Sequence, residues 1–228
     1  GGVAGGASVA ARARRIDEGA EIIIFERGPY VSFSNCSLPF YLSRIVEKSD
    51  DLVMMSPDKF KKLYNIEARV NSEVTKIKRK EKKIVVKNLI TGEEYEEAYD
   101  KLVLSPGAHP LRPKSIEGIM NNHVFTIRNV VDIKQLDEYL VKNNVKNVAV
   151  VGGGFVGVEV AENLRLAGKN VSLIEALNQI MTPFDYDMAQ ILHKEMIDMG
   201  VNLILNDGVR KINEHSIELQ SGREFAAE

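Results

Sequence analysis

The sequence has 228 residues, 44% hydrophobic and 27% charged, with 30 Lys plus Arg against 32 Asp plus Glu and a net charge of −2. This is a globular composition, its even charge gives no support for a nucleic-acid binder, and its longest apolar stretch, Val148 to Val158, is broken by glycines and too short to span a bilayer. The single cysteine, Cys36, excludes an internal disulfide and a multi-cysteine metal site and fits a reducing cytoplasm, and the opening glycine loop is no basic and apolar leader.

Gly1 to Gly6 (GGVAGG) opens the chain and predicts a helix over Ala7 to Glu18 with Gly19 as its stop, then a strand over Glu21 to Glu26. Val31 to Phe40 (VSFSNCSLPF) holds Cys36 in polar company. Leu38 to Val46 can start a helix, with Pro39 tolerated in its first turn. A thiol at a helix N-terminus gains thiolate character, the reactive form; a buried cysteine acting as a small hydrophobe is the plainer alternative. Lys76 to Lys83 is a basic, solvated hairpin continuing into a strand over Ile84 to Val86 and a turn at Thr91-Gly92. Asp100 to Leu104 predicts a strand running into Ser105, Pro106, Gly107 and Ala108, and Gly118 to Val124 reads as linker.

Val131 to Lys142 is an amphipathic helix with Ile133, Leu136 and Leu140 on one side. Asn147 to Val151 is a short buried strand. Gly152, Gly154 and Gly157 then give a full G-x-G-x-x-G, followed by a helix with Val158, Ala161, Leu164 and Ala167 on one face and Gly168 as its stop. A strand over Val171 to Ile174 ends in Glu175. Asp185 to Met199 predicts a further helix with Met188, Ile191, Leu192 and Met199 in the core, and Val201 to Leu205 and Ser216 to Leu219 predict strands.

The two glycine loops are copies of one unit. In the second, strand, glycine turn, helix, strand and acid are all present: the first glycine permits the tight turn, the second lets backbone approach a pyrophosphate, and the third lets the helix pack on the strand. In the first, Val3 replaces the middle glycine, and Glu26 lies at the spacing of a ribose-binding carboxylate. Glu175 favours NADH over NADPH, because a carboxylate repels a 2′-phosphate and Ala176, Leu177, Asn178 and Gln179 offer no cation. On the first helix Ser8, Arg12 and Arg15 form one stripe, suited to phosphate or to plain solvation. His109, His123, His193 and His215 show no ligand spacing, and no metal site is expected.

In order along the chain, GGVAGG, ARARR, EIIIFER, SFSNCSLPF, LVLSPGAHP and GGGFVGVE resemble the flavin-dependent pyridine nucleotide-disulfide oxidoreductases with a single active cysteine. Asn35, Leu38 and Pro39 match the pattern of the coenzyme A-disulfide reductases within that family, with Phe40 in place of a tyrosine, and no second cysteine follows five residues on as in glutathione reductase relatives. The resemblance implies an α/β fold of two Rossmann-like doubly wound domains: an FAD-binding domain over residues 1–113, short of its first strand and a returning segment, and an NAD-binding domain over residues 114–228, short of a closing strand.

The resemblance places FAD at Gly1, Gly6, Glu26, Arg27, Val74, Ser105, Gly107 and Ala108. It places NADH, with NADPH less favoured, at Gly152, Gly154, Phe155, Gly157, Glu159 and Glu175, with Phe155 covering the flavin until nicotinamide displaces it. Coenzyme A contacts fall to Ser8, Arg12, Arg15, Ser32 and Asn35, although Tyr64 stands where relatives carry a lysine. Cys36 becomes the redox centre, reducing coenzyme A disulfide or a related persulfide or polysulfide; the alternatives are peroxide or oxygen reduction through a Cys36 sulfenic acid, and an inactive nucleotide-binding fragment. A cytoplasmic homodimer acting on a small-molecule disulfide, with no nucleic-acid or membrane partner, completes the expectation.

Overall fold

A computed structural model describes all 228 residues. The chain divides into two compact units, residues 1–34 with 50–108 and residues 35–49 with 109–228. The sequence-based division at residue 113 therefore misses one segment: residues 35–49, which hold Cys36, pack with the second unit.

Helix α1 (Gly5–Ile16) buries Ala7 and Ala10, small enough to seat the helix closely against the short strand β1 (Ile23–Phe25). It stops at Asp17, whose Oδ1 accepts the N–H groups of Gly19 and Ala20 at 2.9 and 3.1 Å. Cys36 lies in a 3-10 turn, Asn35–Ser37, followed by the five-residue helix α2 (Leu38–Leu42). This helix is shorter than the sequence predicts: Arg44, just past its end, takes a left-handed φ of 65°. Ser56 caps α3 (Pro57–Tyr64) by accepting the Lys59 N–H, and left-handed Asn65 ends it. Arg14 ties α1 to that end, donating to the carbonyls of Tyr64 and Asn65 at 2.8 and 2.9 Å.

Strand β2 (Glu67–Arg69) pairs parallel with β1. Strands β3 (Ser72–Lys78), β4 (Lys83–Asn88) and β5 (Glu94–Ala98) form an antiparallel meander, and Glu96 on β5 pairs with two of the basic hairpin's lysines, Lys78 and Lys83. Asp100 to Leu104 forms no strand: no neighbouring strand is hydrogen-bonded to it, and Val103 and Leu104 are exposed.

In the second unit, Asn129 caps α4 (Val130–Lys142), which buries Ile133, Leu136 and Leu140 as its periodicity predicts. Strand β6 (Asn147–Val151), helix α5 (Phe155–Leu166), strand β7 (Asn170–Ile174), helix α6 (Tyr186–Asp198) and strand β8 (Asn202–Ile204) then alternate into a parallel sheet in the order β6-β7-β8. An antiparallel sheet of β9 (Val209–Ile212), β10 (Ser216–Leu219) and β11 (Glu224–Ala226) shares its core with β7 and β8 through Ile174, Ile204, Val209, Ile217 and Leu219. The α/β class is as the sequence implies. Two helix faces are not. Helix α6 packs on β8 and buries Ala189, His193 and Met196, leaving Met188 and Ile191 exposed. Helix α5 buries Val160, Ala161, Asn163 and Leu164 and leaves Ala167 exposed. No helix is long and apolar enough to cross a membrane.

Candidate functional site

The two glycine loops are built alike. In the first, a Cβ on Gly6 would lie 1.8 Å from the carbonyl oxygen of Gly1, and one on Gly1 would lie 2.2 Å from that of Ser105. In the second, a Cβ on Gly157 would lie 1.9 Å from the carbonyl oxygen of Gly152, which itself has a φ of 102°. No side chain fits at those contacts, so the glycines let helix and loop backbone touch. Gly154 differs, because a Cβ there would meet nothing within 4 Å. The space above it is open.

Each loop is braced by the acid ending its unit's second strand. Glu26 accepts the N–H groups of Gly2 and Gly28 at 2.7 and 2.9 Å, and Glu175 accepts those of Gly153 and Leu177 at 2.7 and 2.9 Å. Each carboxylate keeps lone pairs for a further donor. The helices behind the loops, α1 and α5, have no side-chain cap and no acid in their first turn, whereas α3, α4 and α6 carry Asp58, Asp132 and Asp187 there. Bare first-turn N–H groups over a glycine turn form a fitting cradle for the diphosphate of a dinucleotide.

Around the first loop, Ser105 Oγ and Cβ lie against Gly5, and Gly107 (φ 71°) and Ala108 continue as exposed, irregular chain. Ser32 sits in the left-handed region, donates its N–H to Gly2 O at 2.9 Å and accepts from Met54 at 2.8 Å, so it backs the loop. Arg27 pairs with Glu73 at 3.7 Å, and half-exposed Val74 lies at a register shift in β3. Ser8, Arg12 and Arg15 form an exposed stripe on α1.

The second unit holds the remaining candidates. Cys36 is a free, exposed thiol, which sets aside the buried-hydrophobe reading. Its neighbour Asn35 accepts from Arg128 Nη1 at 3.1 Å. Helix α2 packs against α4 and α5, and Ser43 Oγ donates to Oδ1 of fully buried Asn163 on α5 at 2.6 Å, while Asn163 Nδ2 donates to Glu159 O at 2.8 Å. The thiol segment is thus fastened to the helix that carries Phe155 and Glu159. An amide in the apolar stripe of α5 is the sequence signal of that link.

Phe155 is 57% exposed and forms a T-shaped pair with Phe184 at 6.4 Å and 84°, which sets aside simple helix-on-strand packing. Nothing in the sequence pattern singled out Phe184. No cluster of His, Cys, Asp or Glu could hold a metal ion; His123 bonds Asn213 O at 2.9 Å, and buried His193 accepts the Ile180 N–H at 3.1 Å.

An α/β fold thus carries two acid-braced glycine loops and one exposed thiol. The chain belongs to the pyridine nucleotide-disulphide oxidoreductase family, whose model matches residues 1–228. It is 35% identical over 222 residues to the coenzyme A disulfide reductase of Staphylococcus haemolyticus, covering 97% of this chain and 50% of that protein. It superposes with a TM-score of 0.97 on the reduced CoADR-RHD protein of Bacillus anthracis, at 45% identity over 100% of this chain and 41% of that one. The NAD-dependent persulfide reductase of A. fulgidus follows at a TM-score of 0.94 and 32% identity, over 100% and 43%. The chain thus spans about half the length of the curated relatives it matches.

Proposed function

We propose that this chain forms the dinucleotide-binding part of a flavoprotein disulfide reductase, with residues 1–34 and 50–108 around the FAD loop and residues 35–49 and 109–228 around the NAD loop. The observation that carries the reading is the exposed Cys36 thiol beside Asn35, in a chain with two acid-braced glycine loops. The first loop holds FAD through Gly1, Gly6 and Glu26, supported by Ser105, and the second holds NADH through Gly152, Gly154, Gly157 and Glu175. FAD held in the first loop would supply the two-electron chemistry that links a hydride donor to a disulfide acceptor.

The chain's own residues bind and orient. Bare N–H groups of α1 and α5 take the diphosphates, and the two acids accept ribose hydroxyls. The Cys36 thiolate attacks one sulfur of a disulfide, forming a Cys36 mixed disulfide and expelling the other half as a thiolate. Two electrons and a proton, from NADH and solvent, then return the Cys36 thiolate and release a second thiol. Arg12 and Arg15 provide guanidinium groups for the phosphates of coenzyme A, which favours coenzyme A disulfide or a coenzyme A persulfide as the substrate.

Mass spectrometry of Cys36 in the isolated intact protein tests this. A coenzyme A adduct supports the reading. A sulfenic acid instead assigns peroxide or oxygen reduction, and a colourless protein that takes up neither FAD nor NADH overturns both.

A further inference from the structure

Residues 176–184 follow Glu175 without helix or strand, yet the segment is fixed at both sides. Leu177 donates to Glu175 Oε1 at 2.9 Å, and Met181, at a left-handed φ of 51°, donates to Gly153 O at 2.7 Å. Gln179 Nε2 donates to Phe184 O at 2.9 Å, and the Phe184 ring lies T-shaped to that of Phe155. Ile180 is fully buried under the loop: a Cβ added at Gly153 would lie 2.5 Å from Ile180 Cγ2. A side chain of α6 bonds to this strap. His193 Nε2 accepts the Ile180 N–H at 3.1 Å, from a buried position facing the sheet.

We infer that His193 is a positioning residue for the nicotinamide coenzyme, acting through Ile180 to hold the strap 176–184 against Gly153 and so to fix the glycine turn and the Phe155–Phe184 pair. The inference rests on the reading of the second loop as the coenzyme site. The physical basis is the cost of an unmade bond. Without the imidazole acceptor, the Ile180 N–H is buried with no partner, and the strap regains a partner for it only by lifting toward water. Lifting withdraws Ile180 from beneath Gly153 and breaks the Met181–Gly153 bond. The loop then meets the coenzyme unorganised, and ordering it lowers affinity.

NADH titration of the intact protein by fluorescence, on the parent, His193→Leu and His193→Gln, tests this. His193→Leu fills the volume and removes the acceptor; its NADH dissociation constant is expected to rise about tenfold, or about 1.4 kcal/mol. His193→Gln keeps an acceptor and is expected to recover most of that loss, which a merely structural histidine would not show. Amide exchange at Ile180 in the coenzyme-free parent gives a readout needing no variant: slow exchange is expected, and fast exchange overturns the preformed strap. Equal NADH affinity in parent and His193→Leu overturns the inference alone. A parent that binds no NADH overturns the coenzyme-site reading and the inference with it.

Discussion

The Oε2 of Glu175 accepts the backbone N–H of Gly153 at 2.7 Å, across the mouth of the second glycine loop. Glu26 makes the same bond to Gly2, at the same distance, in the first. The acid at the strand end is therefore part of the loop's own structure before any ribose arrives. A carboxylate that already bonds two N–H groups is held in one orientation, and its remaining lone pairs are aimed in advance.

Glu175 carries coenzyme choice under this reading. Its charge faces a 2′-phosphate without a neighbouring cation, since Ala176, Leu177, Asn178 and Gln179 follow. NADH is expected to be preferred over NADPH in kcat/KM by about ten- to a thousandfold, the size of a like-charge clash of a few kcal/mol. Glu175→Ala with Ala176→Arg removes the clash and supplies a guanidinium, so it is expected to invert the preference. It should also lower affinity for both coenzymes, because Gly153 and Leu177 lose their acceptor. Equal use of the two coenzymes by the parent would defeat this role of Glu175.

Cys36→Ser is expected to abolish disulfide reduction while NADH still bleaches the bound flavin at close to the parent rate. A serine hydroxyl cannot form the mixed disulfide, and Cys36 is the chain's sole thiol. Stopped-flow absorbance separates the two half-reactions. Disulfide turnover by the variant at the parent rate removes Cys36 from the chemistry.

Two glycines of the second loop give opposite outcomes. A methyl at Gly157 runs into backbone, 1.9 Å from Gly152 O, so Gly157→Ala is expected to cost about 1–3 kcal/mol of stability. A methyl at Gly154 meets nothing within 4 Å, and the residue's φ of −78° suits alanine. Gly154→Ala is expected to keep the parent Tm yet bind NADH at least about tenfold more weakly, since the methyl occupies the space a diphosphate needs. Thermal unfolding beside NADH titration reads both. A Gly154→Ala variant with parent affinity means that no diphosphate lies there.

The second unit was the more legible in sequence because its signals are local. Strand, glycine turn, helix, strand and acid occur within one short stretch, and each has its own residue signature. The sequence did not show that residues 35–49 join the second unit. That assignment depends on α2 packing with α4 and α5 and on the Ser43–Asn163 bond, which spans distant parts of the chain. The α6 face was misread because Met188 and Ile191 are apolar yet exposed, while a histidine occupies the buried row between Ala189 and Met196. Apolar periodicity cannot register a buried imidazole whose partner is a backbone N–H in a preceding loop. Phe184 escaped for a related reason: its partner Phe155 lies across a strand and a loop, and no spacing rule connects them.

His193 gives the fold a pH dependence of defined sign. Burial pushes its pKa below the ordinary value of about 6.5, and the bond from Ile180 N–H needs an unprotonated Nε2. In the unfolded chain the imidazole regains that ordinary pKa and binds a proton as the pH falls through it, while the native state resists. The unfolded state then holds more protons, so stability rises with pH. This contribution is fully present above pH of about 6.5 and is lost as the pH falls toward the depressed native pKa, at no more than about 1.4 kcal/mol per pH unit. The carboxylates act in a separate, more acidic window. Glu96, bonded to Lys78 and Lys83, is held down to about 2, and Asp207 is lowered chiefly by its bond from Ser221, so their contributions fade only below the ordinary carboxylate range of about 4. Urea unfolding of the parent between pH 5 and 7 is expected to show stability rising with pH. His193→Gln, which keeps an acceptor but cannot titrate, is expected to flatten that rise. An unchanged slope in the variant assigns the pH dependence to another group.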